Sequence, residues 1–112
     1  MSKENINTIE ISEEVKKALK NQHGDKLRVI ALPTDDLYEK YKEVAVVVPS
    51  RSVVSQYMRF AKDNPLKAQE ILVKNCVLTS KEEVMADDGL FYGCVGMLAE
   101  LIPVREGKFV KL

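Results

Sequence analysis

Apolar positions along the chain change period several times, and each change marks an element. Ser12 precedes Glu13 and Glu14, the arrangement of an N-cap followed by acids in a first helical turn. Val15, Ala18 and Leu19 then recur at spacings of three and one, a narrow stripe on a polar helix. His23 and Gly24 end it, because glycine takes the left-handed cap conformation without strain. The first helix is therefore expected over 12–24, on the surface. Residues 1–11 read as a loosely ordered N-terminal arm with Ile6, Ile9 and Ile11 as attachment points.

Residues 26–32 (KLRVIAL) are short and rich in β-branched side chains, and residues 39–48 (EKYKEVAVVV) read as a second strand. The second half of that strand, Val44 to Val48, is apolar on both faces. Pro33-Thr34-Asp35-Asp36 is a turn by residue type, too short for a crossover helix, so the two strands form an antiparallel hairpin. Pro49 stops the second strand and Ser50 caps a helix whose apolar positions are Val53, Val54, Tyr57, Met58 and Ala61. Asn64-Pro65 opens the next helix, with Pro65 at a position whose missing N–H costs nothing. Leu66, Leu72, Val73, Cys76 and Val77 are its inner face. Ser80-x-x-Glu83 predicts a capping box for a short helix. Asp87-Asp88-Gly89 breaks the chain, and residues 90–102 are almost entirely apolar, which places that helix at the centre of the domain. Gly93 and Gly96 are read as sites of close packing. Residues 104–112 hold β-formers around Glu106-Gly107-Lys108 and are expected to form a short third strand or a tail. The sum is an α+β domain over 12–112, a β-hairpin packed against three or four helices.

A chain of 112 residues with 46% hydrophobic and 30% charged side chains is long enough for one core without staples. Seventeen basic and seventeen acidic side chains cancel, which argues against a protein whose main work is gripping a phosphate backbone. No apolar run approaches the ~20 residues that span a bilayer. The polar start of the chain has no apolar h-region, so the expected location is cytoplasmic. Cys76 and Cys94 have no second pair; they read as buried free thiols, with a disulfide as the alternative. With the single His23 they make three scattered candidates, short of a zinc set. Asp35-Asp36 and Asp87-Asp88 fit turn and cap roles, without the further oxygen ligands that a hard cation requires. No phosphate-cradling glycine motif is present. The expectation is a protein that is not an enzyme and holds no cofactor or metal.

Two constellations could carry binding. Charge is uneven: residues 44–78 hold five basic and two acidic side chains. Arg51, Ser55, Arg59 and Lys62 fall on one face of the helix predicted over 50–62, opposite its apolar stripe. They form either a docking surface for an acidic partner or nucleic acid, the latter disfavoured by the zero net charge, or a plain solvated face. Strand residues Ala45 to Val48, Val46 and Val48 among them, and the helix at 90–102 offer more apolar surface than two small layers easily cover: either the core is simply well filled, or the protein self-associates or holds an apolar partner segment.

The run Val48-Pro49-Ser50-Arg51, then Asp63-Asn64-Pro65-Leu66-Lys67-Ala68, Ile71-Leu72-Val73-Lys74-Asn75-Cys76 and Asp87-Asp88-Gly89-Leu90-Phe91, resembles small tail-cluster proteins of bacteriophages and prophages, in particular the tail assembly chaperones. The resemblance covers roughly residues 12–102 and contains nothing catalytic. It implies a helper in the host bacterial cytoplasm that coats an extended, tape-measure-like helical protein until the tail tube polymerises. The groove would be lined by the second strand and the helices over 50–62 and 90–102. A self-assembling structural adaptor or minor virion protein, or a small inhibitor that binds a host defence protein, are the alternatives.

Overall fold

The computed structural model describes residues 7–112. In chain order its elements are β1 (Thr8–Ile9), α1 (Glu13–His23), a 3-10 turn (Gly24–Lys26), β2 (Leu27–Pro33), β3 (Tyr41–Val47), α2 (Arg51–Ala61), α3 (Pro65–Cys76), α4 (Lys81–Ala86) and α5 (Asp88–Leu101). The fold is α+β, with a mixed sheet in the order β1-β3-β2. The hairpin is antiparallel as expected, pairing Leu27 with Val47 through to Pro33 with Tyr41. Of the two expectations for residues 104–112 the tail holds, since they form no strand; the third strand is β1, parallel to β3 through Thr8–Tyr41 and Ile9–Lys42.

The N-terminal arm is therefore tied down from Thr8 onward, and by backbone rather than by apolar side chains. Ile9 is largely exposed. The Ile11 N–H donates to Glu43 Oε1 at 2.9 Å, and Lys16 Nζ lies 3.1 Å from the same oxygen. Ile6 lies outside the described residues.

Val44, Ala45 and Val46 are all fully buried, which explains the two-faced apolar run: β3 is the central strand. Beyond β1, its free side is taken up by the segment after α3. Val77 forms an antiparallel bridge with Val46, the Leu78 N–H donates to Ala45 O at 2.8 Å, and the Ala45 N–H donates to Thr79 Oγ1 at 2.9 Å. One face of the sheet, with Ile30, Leu32, Val44 and Val46, packs on Leu72, Val73 and Cys76 of α3, Val84 of α4, and Leu90, Phe91, Cys94, Val95 and Leu98 of α5.

The caps follow the sequence, with one exception. Ser12, Ser50 and Asn64 accept from the N–H three residues on, at 3.2, 3.2 and 3.3 Å. Gly24 ends α1 at φ 58°. Ser80 does not form the expected capping box. It sits in the left-handed region (φ 55°) and its side chain caps nothing. The chain must leave the β3 pairing at Leu78 and enter α4 at Lys81, and Ser80 takes the whole reversal. Asp87 supplies the α5 cap, accepting from the Leu90 N–H at 2.9 Å.

Two helices are less enclosed than their sequences suggest. In α5, Leu90, Phe91, Cys94, Val95 and Leu98 are buried, but Tyr92, Gly96, Met97 and Ala99 face solvent. The helix lies over the sheet rather than inside the molecule. A Cβ on Gly93 would meet Leu32 at 3.6 Å, ordinary contact, and one on Gly96 would meet nothing, so neither glycine is forced by packing. In α3, Leu66 is exposed, whereas Ala68, Leu72, Val73 and Cys76 are buried.

Candidate interaction surface

The end of β3, the start of α2 and the end of α5 meet at one corner. The Val48 N–H donates to Lys26 O at 2.9 Å, which holds Lys26 beside the strand end. Pro49 turns the chain, and Ser50 caps α2 through the Val53 N–H. Between these residues lies an open groove of about 410 Å³ lined by Val48, Pro49, Val54, Ile102 and Pro103, with Lys26, Ser50 and Arg51 at its edge. Its floor is apolar and its rim carries two cations beside the positive end of a helix.

α2 itself has no buried residue. Val53 and Tyr57 pack against the core, but Met58 is 67% exposed and Ala61 is open. The half of the apolar stripe that is covered is the side of Val53 and Tyr57, which pack on the core. Arg51, Ser55, Arg59 and Lys62 all face solvent on the opposite side. Residues 51–62 contain no carboxylate. Arg51, Arg59 and Lys62 enter none of the ion pairs among the described residues. At the far end of the helix Lys67 Nζ stands 4.3 Å from the centre of the Phe60 ring.

The structure thus brings Val48 and Arg51 into one groove and sets Ser55, Arg59 and Lys62 along the helix leading from it. It removes Val46. That side chain is fully buried on the core face of β3, opposite Arg28 and bridged to Val77, so it cannot line a surface. Position along the strand is the reason: Val48 lies beyond the end of β3, while Val46 sits in its paired centre, covered by the elements packed on it. Sequence reading missed Lys26, Pro49 and Pro103, which carry no common pattern, whereas Ile102 ends the helix over 90–102 that was expected to line the groove. Val54 was legible, because a stripe containing both Val53 and Val54 is wider than one core contact consumes.

The groups capable of nucleophilic chemistry lie elsewhere. Cys76 and Cys94 are buried free thiols. Burial pushes Cys76 up to about 11. Burial, reinforced by the neighbouring Cys76, pushes Cys94 up to about 12. Both are neutral at physiological pH, which removes their nucleophilicity. Among the described residues no group of three or more His, Cys, Asp or Glu side chains is arranged to hold a metal. Among the same residues no helix is long and apolar enough to cross a membrane.

No protein-family model matches the chain, and no curated protein matches it in sequence. Among solved structures, the fold is similar to that of an uncharacterised protein from Bacillus stearothermophilus. The two are 15% identical, with a TM-score of 0.62, over 86% of this chain and 99% of that one. At that identity the likeness concerns the fold.

Proposed function

We propose that the protein is a non-enzymatic binding protein of the bacterial cytoplasm, a phage or prophage tail assembly chaperone that holds a tape-measure-like helical protein. The observation that carries this reading is the groove between β3, α2 and α5, continuous with the uncovered half of the α2 stripe. An amphipathic helix presents side chains at i, i+3, i+4 and i+7, and a shallow apolar groove accepts such anchors without enclosing the whole partner. Weak grip at each copy suits a chaperone that is later displaced, because many copies along one long helix supply the avidity. The cations at Arg51, Arg59 and Lys62 support a second reading, an inhibitor that docks on an acidic protein surface, because they are exposed and unopposed on one face.

Co-expression separates the two. The chaperone reading expects a long tape-measure fragment, insoluble alone, to stay soluble when this chain is co-expressed. Val54→Glu, which places a charge on the groove floor, should abolish the effect. Reversing Arg59 and Lys62 to Glu should change it by no more than about twofold, because exposed charges away from the groove contribute little to an apolar grip. If the fragment precipitates beside the wild-type chain, the chaperone reading fails. If it stays soluble but is lost with the charge reversal and kept with Val54→Glu, the acidic-partner reading replaces it.

A further inference from the structure

The outer edge of β2 is an unfilled strand position of defined length. In the β2–β3 ladder the even-numbered residues of β2 exchange hydrogen bonds with β3, as the flanking bonds Val48 N–H to Lys26 O (2.9 Å) and Thr34 N–H to Lys40 O (2.8 Å) fix. The odd-numbered residues point their N–H and C=O groups away from the sheet. At one end Leu27 is satisfied locally: its N–H donates to Gly24 O, and its carbonyl accepts from Arg28 Nη1 at 2.8 Å. At the other end Pro33 has no N–H. Between them Val29 and Ala31 leave two donors and two acceptors without a partner among the described residues, on an edge where Val29 is 40% exposed and Ala31 is open.

The segment after α5 has the complementary need. Every residue over 103–112 is exposed. Phe109 and Leu112 are wholly solvated, and Val104 and Val110 nearly so. Phe109-Val110-Lys111-Leu112 has the composition of a short strand.

We propose that residues 109–112 of one copy add as an antiparallel strand to the β2 edge of a second copy. Antiparallel pairing makes the more stable ladder per residue. With Val110 opposite Ala31 and Leu112 opposite Val29, these two residues meet the free donors and acceptors of the edge, and Lys108 falls opposite Pro33 at the end of β2. The same register argument excludes the segment's own β2 edge. Pro103 lies beside Lys26 in the groove, so folding back would run parallel to β2. Both strands advance by about 3.3 Å per residue, which would bring Glu106, Gly107 and Lys108 to Val29–Ala31 and leave the apolar residues beyond the edge. The pairing joins two copies through unlike surfaces, so it closes by reciprocal exchange or continues as a chain of copies. It is independent of what the α2 groove binds.

Sedimentation velocity on the whole chain tests this, up to a concentration on the order of 1 mM, because a few backbone bonds and three apolar side chains support affinities from micromolar to millimolar. The wild-type chain should shift from monomer to dimer or larger species with concentration. Phe109→Asp with Leu112→Asp, at fully exposed positions that cannot disturb the core, should leave it monomeric. Ala31→Pro removes an outward N–H and leaves the ladder to β3 intact, and should do the same. Mixing those two variants should restore one association, because one keeps the edge and the other keeps the segment. If Ala31→Pro does not fold, as circular dichroism would show, Ala31→Lys takes its place as the edge-blocking variant. A wild-type chain that stays monomeric throughout, or a mixture of folded variants that fails to associate, overturns the proposal.

Discussion

Cys76 and Cys94 show how a residue's surroundings decide its chemistry. On an exposed loop either thiol would ionise near the ordinary value of 9.0. In the core each is held neutral, so the folded state keeps protons that the unfolded chain gives up as pH rises above that value. The unfolded state then binds fewer protons than the native one, and stability falls with increasing pH. Lys16 is also shifted upward, chiefly by its hydrogen bond to Glu43, but its ordinary value of 10.5 puts its titration later. Denaturant unfolding between pH 8 and pH 10 should therefore show stability declining, through the thiols first. Replacing both cysteines with alanine should flatten that slope while lowering stability at pH 8 through the lost packing. A slope unchanged by the double substitution would show that other groups carry it.

Elements in this fold are joined by a few polar contacts that local pattern does not reveal. Glu43 reads as one charge in a half-alternating strand. In the structure its carboxylate accepts from the Ile11 N–H and pairs with Lys16, tying the arm and α1 to the centre of the sheet. α1 has no buried residue, so these bonds carry much of its attachment. Glu43→Ala should raise amide exchange at Ile11 and along α1 by on the order of tenfold, while the amides of β3 and α5 remain protected. Equal loss of protection across the molecule would mean that α1 is integral to the cooperative unit. Thr79 is a second case. It directly precedes the Ser80-x-x-Glu83 pattern, yet its hydroxyl accepts from the Ala45 N–H in the central strand, and Ser80 makes no side-chain cap.

At the scale of the whole molecule, one cluster joins the inner face of the sheet to α3, α4 and α5, with Leu72, Val73, Val84, Cys94 and Leu98 among its fully enclosed members. Leu98→Ala removes three side-chain carbons from its centre and should lower global stability by about 2–5 kcal/mol, read as one cooperative transition in denaturant. Two transitions would instead separate the α2–α3 hairpin from the rest. α2 lies outside that cluster and packs against it through Val53 and Tyr57, with none of its own residues buried.

Local patterning was enough to place the helices, the hairpin and most caps, because those depend on side-chain period and on residue types that fix backbone angles within a few positions. Ser12, Ser50, Asn64-Pro65 and Gly24 act through their immediate neighbours. The basic face at Arg51, Ser55, Arg59 and Lys62 follows from the same helical period. What the period cannot tell is which apolar face is covered, since burial depends on elements remote in the chain. Tertiary structure decided that Val46 is core and Val48 is groove, that Met58 and Leu66 are open, and that α5 shows a side to solvent. It also decided that the third strand comes from Thr8–Ile9 rather than from residues 104–112. A strand forms where a partner edge has unpaired N–H and C=O groups, and no stretch of sequence contains its partner's edge.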